Sequence, residues 1–445
     1  MPSLVFKVPP PRKPLQNIVW LVGERVGRAA VTVTVIGVIA RYLEPTGFGR
    51  LNFAITVMTM AAALAYLGLD GLVVGKLVQQ PAESGAVMGT AFRLRLGAGL
   101  ATALLLGVFS LVAVPAADAS LIAVVGLSLI FQAVEVVDLW FQRHLDSRRT
   151  VVARLCGIMA GATLKLWLVA HGAPLIAFAW AQAADAILIA AALAWSGKRS
   201  PYPTGRWTWS PQIARDFWRR GAPLALSSLM VAVALRLDQV MVRGWLGEHA
   251  AGIYFASIRL VDLANFAGSA LALSLFPALA AAQPNDMPEY RARLQGLFDA
   301  LSLLGWLVAL ACTFAGSWAV RLIYGPAYSD AGAVLAVQGW YCLFSLNAIG
   351  RWNFILLSAS TALNLVAALL HIIVVAVCGI WLIPRHGVDG AAVALVGAAF
   401  VSGYASSFVI PSLRACGLMQ TRGFLILFTP QRWPDLLRQF DRPPV

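Results

Sequence analysis

Long apolar runs alternate along the chain with short clusters of glycine, proline and charge. A helix needs about 20 mostly apolar residues to cross the hydrocarbon core of a bilayer. Twelve segments meet that length: 16–40, 50–70, 91–114, 119–142, 150–171, 174–196, 217–242, 249–276, 294–317, 331–357, 361–384 and 388–412. Turn chemistry punctuates them at Pro45-Thr46-Gly47, Pro115, His171-Gly172-Ala173-Pro174, Pro277 and Pro384-Arg385-His386-Gly387. The pattern predicts an all-α polytopic membrane protein with 12 transmembrane helices.

Composition agrees. Of 445 residues, 60% are hydrophobic and 12% charged, where soluble domains carry roughly a quarter charged residues. The net charge of +14 raises the question of nucleic acid, but no polar segment is large enough to fold a reader domain, and no nucleic-acid partner is expected. The basic residues lie in connections instead. With the N-terminus in the cytoplasm, 23 Lys and Arg fall in the inner connections and tails, and five (Arg41, Arg50, Arg243, Arg321, Arg385) fall outside. The positive-inside rule therefore puts both termini in the cytoplasm. The first apolar run contains Glu24, Arg25 and Arg28 and has no small-residue cleavage site, so it reads as a retained first helix. The five cysteines are scattered without metal or redox spacing; they read as small core residues, and neither metal nor cofactor is expected.

The longest polar stretch, 197–219, is cationic and carries Trp207, Trp209 and Trp218, which suit the headgroup layer. It separates an N-terminal six-helix half (1–196) from a C-terminal six-helix half (220–414), followed by a tail (415–445). Halves of even helix number share one orientation, so a duplication would be related by an axis along the membrane normal. Two echoes support it. A shift of about 202 residues places Arg41 on Arg243, Leu51 on Ile253, Phe53 on Phe255 and Ala54 on Ala256, and HGAPLIAFA at 171–179 matches HGVDGAAVA at 386–394. In the tail, the run Phe424 to Phe428 is too short to span, while Trp433, Leu436, Leu437 and Phe440 fall at helical spacing among charges. They predict an interfacial helix on the cytoplasmic face.

Charges inside the spans are expensive and are functional candidates. The stretch 236–262 concentrates them, with Arg236, Asp238, Arg259 and Asp262. The first span carries Glu24, Arg25 and Arg28; the fourth carries Gln132, Glu135, Asp138 and Gln142 as one polar stripe. Lys165 has no acid within reach on its own helix, and Gln182 and Asp185 follow in the sixth span. Arg351, near the inner boundary, is positioned to snorkel. Two readings stand. The cations Arg25, Arg28, Lys165, Arg236 and Arg259 line a central cavity and hold an anionic group, arginine being suited to phosphate; or the charges pair and lock helices together, Glu24 with Arg28 and Arg259 with Asp262 foremost. Glu24, Glu135, Asp138, Asp185, Asp238 and Asp262 are the candidates for carrying a coupling ion. No Walker, HExxH or GxSxG sequence occurs and no outer connection exceeds roughly 15 residues. An enzyme or ATP-driven pump is not expected.

The residues NIVWLVGERVGRAAVTVTVIGVIARYLEPTGFGRLNFAITV (17–57) resemble the opening of the Wzx-type polysaccharide flippases of the multidrug/oligosaccharidyl-lipid/polysaccharide exporter superfamily. LDQVMVRGWLGEHAAGIYFASIRLVD (237–262), LIYGPAYSDAGAVL (322–335) and LIPRHGVDGAAVA (382–394) are similar to the same family. The resemblance covers essentially the whole chain and implies two six-helix halves around a central cavity in a MATE-like arrangement. It implies translocation of undecaprenyl-pyrophosphate-linked oligosaccharide repeat units from the cytoplasmic to the periplasmic leaflet of a bacterial inner membrane, by ion-coupled alternating access. The cargo lipid, bilayer lipids and other polysaccharide-assembly membrane proteins would be its partners. Glu44 departs from the pattern, since the family more often has glycine in that turn. Competing readings are a drug or metabolite antiporter or a lipid II flippase on the same fold, and a membrane polysaccharide polymerase.

Overall fold

The computed structural model describes the backbone of residues 14–144, 146–202, 206–282, 287–358 and 362–433, with side chains throughout except at 14–31, 147, 277–278, 281–282 and 358. Among the described residues there is no strand. The helices are α1 (Pro14–Tyr66), α2 (Asp70–Gln79), α3 (Ser84–Ala113), α4 (Ala116–Gly126), α5 (Ser128–Phe131), α6 (Val136–Arg143), α7 (Ser147–Ala170), α8 (Leu175–Lys198), α9 (Pro211–Ala234), α10 (Leu237–Ala282), α11 (Met287–Tyr324), α12 (Ala331–Ser358), α13 (Ala362–Ala399), α14 (Ser406–Val409) and α15 (Arg414–Phe424). Nine segments among the described residues are long and apolar enough to cross a membrane.

Three of the long helices are broken by one residue with positive φ: α1 at Glu44 (φ 55°, ψ 171°), α10 at Gly247 (φ 83°, ψ −169°) and α13 at Gly387 (φ 57°, ψ −136°). The α7–α8 and α11–α12 turns use Gly172 (φ 65°) and Gly325 (φ 88°) in the same way. Glycine enters this region without a Cβ clash; Glu44 is the exception.

These turns gather at one end of the molecule. Tyr42 Oη donates to Ala173 O (2.8 Å), Tyr328 Oη donates to Ala40 O (2.9 Å), Arg41 caps the carbonyls of Leu322 and Ile323, and Asp118 pairs with Arg50 (2.6 Å) and Arg243 (2.5 Å). Burial pushes the Tyr328 phenol pKa upward, so it stays a neutral donor. At the opposite end Tyr202 and Thr208, between α8 and α9, are packed against α6 and α3: Thr208 N donates to Gly85 O (3.3 Å), and Trp140 Nε1 donates to Tyr202 O (3.3 Å).

The segment expected as one helix over 119–142 is divided into α4, α5, a 3₁₀ turn (Gln132–Glu135) and α6. Ser128 Oγ donates to Val125 O (2.6 Å), the local competition through which serine disturbs a helix ladder. A π-helical segment, Phe400–Ala405, interrupts the last long helix. Its freed carbonyls are taken by Arg351, whose Nη1 donates to Ser402 O (2.8 Å) and Gly403 O (3.3 Å).

The breaks at Glu44 and Gly247 lie 203 residues apart (247 − 44), one more than the offset drawn from matching residue types. The start of the tail packs into the C-terminal half. Cys416, Gln420 and Ile426 are fully buried, and Trp306 Nε1 donates to Phe424 O (2.9 Å). The expected interfacial residues Leu436, Leu437 and Phe440 lie outside the described residues.

Candidate functional site

The halves meet along the second arm of α1 and along α10. Asn52 and Thr56 come from the former, and the charged stretch singled out in the sequence from the latter. Arg259 Nη2 donates to Asn52 Oδ1 (2.9 Å) and Thr56 Oγ1 donates to Gln239 Oε1 (3.0 Å), both across the interface. Arg236 pairs with Asp262 (3.0 Å). Arg259 and Asp262 share a helix face, yet the carboxylate goes to Arg236, which the α9–α10 junction folds back beside it. Among the described residues Arg259 forms no ion pair. Asp238, 2% exposed, accepts from Tyr254 Oη (2.5 Å) on Oδ2 and leaves Oδ1 without a hydrogen-bond partner.

The N-terminal half holds two further charge clusters. Lys165 of α7 pairs with Asp185 of α8, with Gln182 Oε1 at 3.4 Å. The partner missing from its own helix arrives from the next. Arg154 bridges Glu135 (3.1 Å) and Asp138 (3.2 Å), while Thr150 Oγ1 donates to Asp138 (2.7 Å) and Tyr66 Oη to Glu135 (3.3 Å). The helix division before α6 turns both acids toward α7. Arg154 lies inside the span 150–171, and that position is the signal by which the sequence marks it. The side chains of Glu24, Arg25 and Arg28 lie outside the described residues.

A third cluster was not singled out from the sequence. Asp118, in the first turn of α4 with a side chain 3% exposed, sits between Arg50 of one half and Arg243 of the other. Glu248 adds a second acid, 2.9 Å from Arg243 and 3.9 Å from Arg50. The cluster ties the halves where the turns gather.

Arg351 does not snorkel: it is 3% exposed and also donates to Ser406 Oγ (2.7 Å) and Ser407 Oγ (3.2 Å). The carbonyls of Ser402 and Gly403 in the π-helical segment hold it inside. Nearby, a mostly apolar cavity of about 670 Å³ lies between α9, α10, α12 and α13, lined by Leu235, Phe276, Tyr341, Trp352, Asn353 and His371 among others. Among the described residues no group of three His, Cys, Asp or Glu is placed to hold a metal ion.

The arrangement joins two helical halves by ion pairs and tight backbone packing at one end and by hydrogen bonds around Arg259 and Asn52 further in.

Residues 38–333 match the family model for polysaccharide biosynthesis proteins. No curated protein matches the chain in sequence. Among solved structures, the chain is similar to an inward-facing multidrug resistance transporter of the MATE family of the MOP superfamily, with TM-score 0.71 and 13% identity over 90% of this chain and 96% of that one. It is similar to the lipid II flippase MurJ in an inward closed conformation, with TM-score 0.68 and 11% identity over 94% and 95%. A MOP superfamily transporter from Pyrococcus furiosus gives TM-score 0.55 and 13% identity over 89% and 98%. At such identities the likeness is one of fold.

Proposed function

The chain belongs to the polysaccharide biosynthesis protein family, and on that premise we propose that it flips undecaprenyl-pyrophosphate-linked oligosaccharide repeat units across a bacterial inner membrane. Its twelve passes are the two arms each of α1 and α13, α3, the α4–α6 run, α7, α8, α9 with the first arm of α10, the second arm of α10, α11 and α12. The basic end faces the cytoplasm, and the end carrying Asp118, Arg50 and Arg243 faces the periplasm. The cargo's pyrophosphate meets the interface between the halves while its polyprenyl chain stays in the bilayer. Bilayer lipids and other polysaccharide-assembly membrane proteins are the expected partners.

One observation supports this reading above the others: Arg259 lies at the interface of the halves without an ion-pair partner among the described residues, held by a neutral amide. A guanidinium in that position can exchange Asn52 for a phosphate oxygen. Lys165 and Arg236 already have carboxylates; in this proposal they add to the field around Arg259, and Arg25 and Arg28 remain further candidates for holding the anionic group. Coupling falls to Asp238 first, because Asp185 and Asp262 each pair with a cation and Glu135 and Asp138 share Arg154. Glu24 remains a further candidate.

The test is made in the native host. Deleting the chain should cause a lipid-linked oligosaccharide to accumulate with its sugar accessible only from the cytoplasm, and surface polysaccharide should be lost. Arg259→Ala, inserted at the wild-type level, should fail to restore it. Unchanged lipid intermediates in the deletion strain would overturn the reading. Sensitivity to drugs or arrest of lipid II, the cargoes named for the structural neighbours, would then identify the replacement.

A further inference from the structure

At the basic end of the N-terminal half, the connection after α8 folds back over the start of α3 and the end of α6. Together they enclose a pocket of about 630 Å³. Arg143, His144 and Arg206 supply its basic groups, and Trp140 and Tyr202 supply ring faces. Glu83, exposed at the rim, is the single acid among the lining residues.

The basic groups are braced but not neutralised. The Arg143 guanidinium lies 4.8 Å over the Trp140 ring, and its Nη1 donates to Ser84 Oγ (2.6 Å). That bond uses one of five N–H donors. His144 is sandwiched, with ring centroids 4.5 Å from Trp140 and 4.2 Å from Tyr202, the latter stacked at 18°. Its Nδ1 donates to Trp140 O (2.9 Å), leaving Nε2 as the open nitrogen. The acids of this end are committed elsewhere: Asp138 to Arg154, Asp146 to Arg149, and Asp216 to Lys76 and Arg220. Among the described residues neither Arg143 nor Arg206 forms an ion pair. Stacked arginine and histidine around a recess, with no carboxylate in ion-pair reach of either arginine among the described residues, is a cradle for an oxyanion rather than for a cation or a neutral sugar.

We propose that this pocket binds a phosphate-bearing anion between Arg143 and Arg206, against the Trp140–His144–Tyr202 stack. Arg206 belongs to the connection between the halves and Arg143 to α6, so the anion fastens that connection to the N-terminal half. Trp207 packs on Phe92 (5.5 Å) and Trp209 is 45% exposed beside it, which sets the pocket at headgroup depth. A glycerophospholipid headgroup or a soluble phosphate would satisfy the same chemistry. The inference does not depend on what the protein transports.

The test uses the full chain in nanodiscs of phosphatidylcholine. Binding of dihexanoyl-phosphatidylglycerol and of inorganic phosphate is measured separately by calorimetry. Arg143→Gln and Arg206→Gln should each weaken saturable binding about tenfold, the loss of one charged hydrogen bond, and Arg219→Gln, outside the pocket, should not. Arg206 is exposed, so its variant keeps the test valid if Arg143→Gln folds poorly. Binding of the lipid alone identifies a membrane headgroup, and binding of phosphate as well identifies a soluble anion; both support the site. No saturable binding of either, or equal binding by Arg206→Gln and wild type, overturns it.

Discussion

Gly49 and Gly252 are lodged against each other's half of the molecule in a reciprocal contact. A Cβ on Gly49 would overlap Glu248 O and lie 2.8 Å from Gly252 N; a Cβ on Gly252 would overlap Pro45 O and lie 2.9 Å from Pro45 Cα. Pro45 and Glu248 are separated by 203 residues (248 − 45), as are Gly49 and Gly252 (252 − 49). Each half therefore presents the same turn to the same turn of the other, as an isologous contact about a two-fold axis requires.

Backbone overlap of this kind cannot be relieved by rotating a side chain. Gly252→Val should disfavour the arrangement with the turn end closed by about 1–3 kcal/mol, the usual cost of overpacking. In an Ala251→Cys background, where the wild-type alanine is fully buried, it should speed labelling by an impermeant maleimide about tenfold or more. Unchanged labelling with normal expression would mean that this contact does not hold the end closed.

Asp118→Asn removes the carboxylate shared by Arg50 and Arg243, whose side chains are 24% and 16% exposed. Breaking a buried pair costs about 3–5 kcal/mol; with Glu248 still near and partial exposure, about 1–3 kcal/mol of thermal stability is expected. Combining it with Arg243→Gln should cost less than the sum of the single changes, since the second substitution removes a charge already orphaned. Strict additivity of the unfolding midpoints would show that the pair is not coupled.

How far these residues could be read beforehand depends on what a helical period encodes. Apolar runs and turn residues marked the helical, multi-pass fold, because length and composition alone decide whether a helix can sit in a bilayer. Period also placed Arg259 and Asp262 on one face. It could not say that Arg236, 26 residues earlier than Asp262, would take the carboxylate, or that α8 would bring Asp185 to Lys165. Those pairings depend on how neighbouring helices rotate and dock. Asp118 was legible in principle: an acid in a helix's first turn after Pro115, on the side assigned to Arg50 and Arg243, has two obvious partners.

Lys165 and Asp185, 18% and 19% exposed, allow the structural and cargo roles of a cation to be separated. Lys165→Gln and Asp185→Asn should each reduce the amount of folded, inserted protein, because each leaves a charge without its partner. The double variant should recover folding on gel filtration and, if the pair only joins α7 to α8, transport as well. A double variant that folds but leaves surface polysaccharide absent would show that the pair does more than join α7 to α8.

Glu44 holds a conformation that four of the other helix breaks and turns give to glycine: φ 55° and ψ 171°, against φ 57° to 88° at Gly172, Gly247, Gly325 and Gly387. For a residue with a Cβ this region costs of order 1–3 kcal/mol. Glu44 is exposed and forms no ion pair among the described residues, so removing its side chain forfeits little in the folded state. Glycine's greater freedom in the unfolded chain returns roughly 0.5–1 kcal/mol of the gain. Glu44→Gly should therefore raise thermal stability by about 1 kcal/mol, Glu44→Val should lower it, and Gly247→Ala should lower it by a similar amount. A Glu44→Gly protein no more stable than wild type would show that the carboxylate has a role strong enough to offset the strain, and transport by that variant would show whether the role belongs to the cycle.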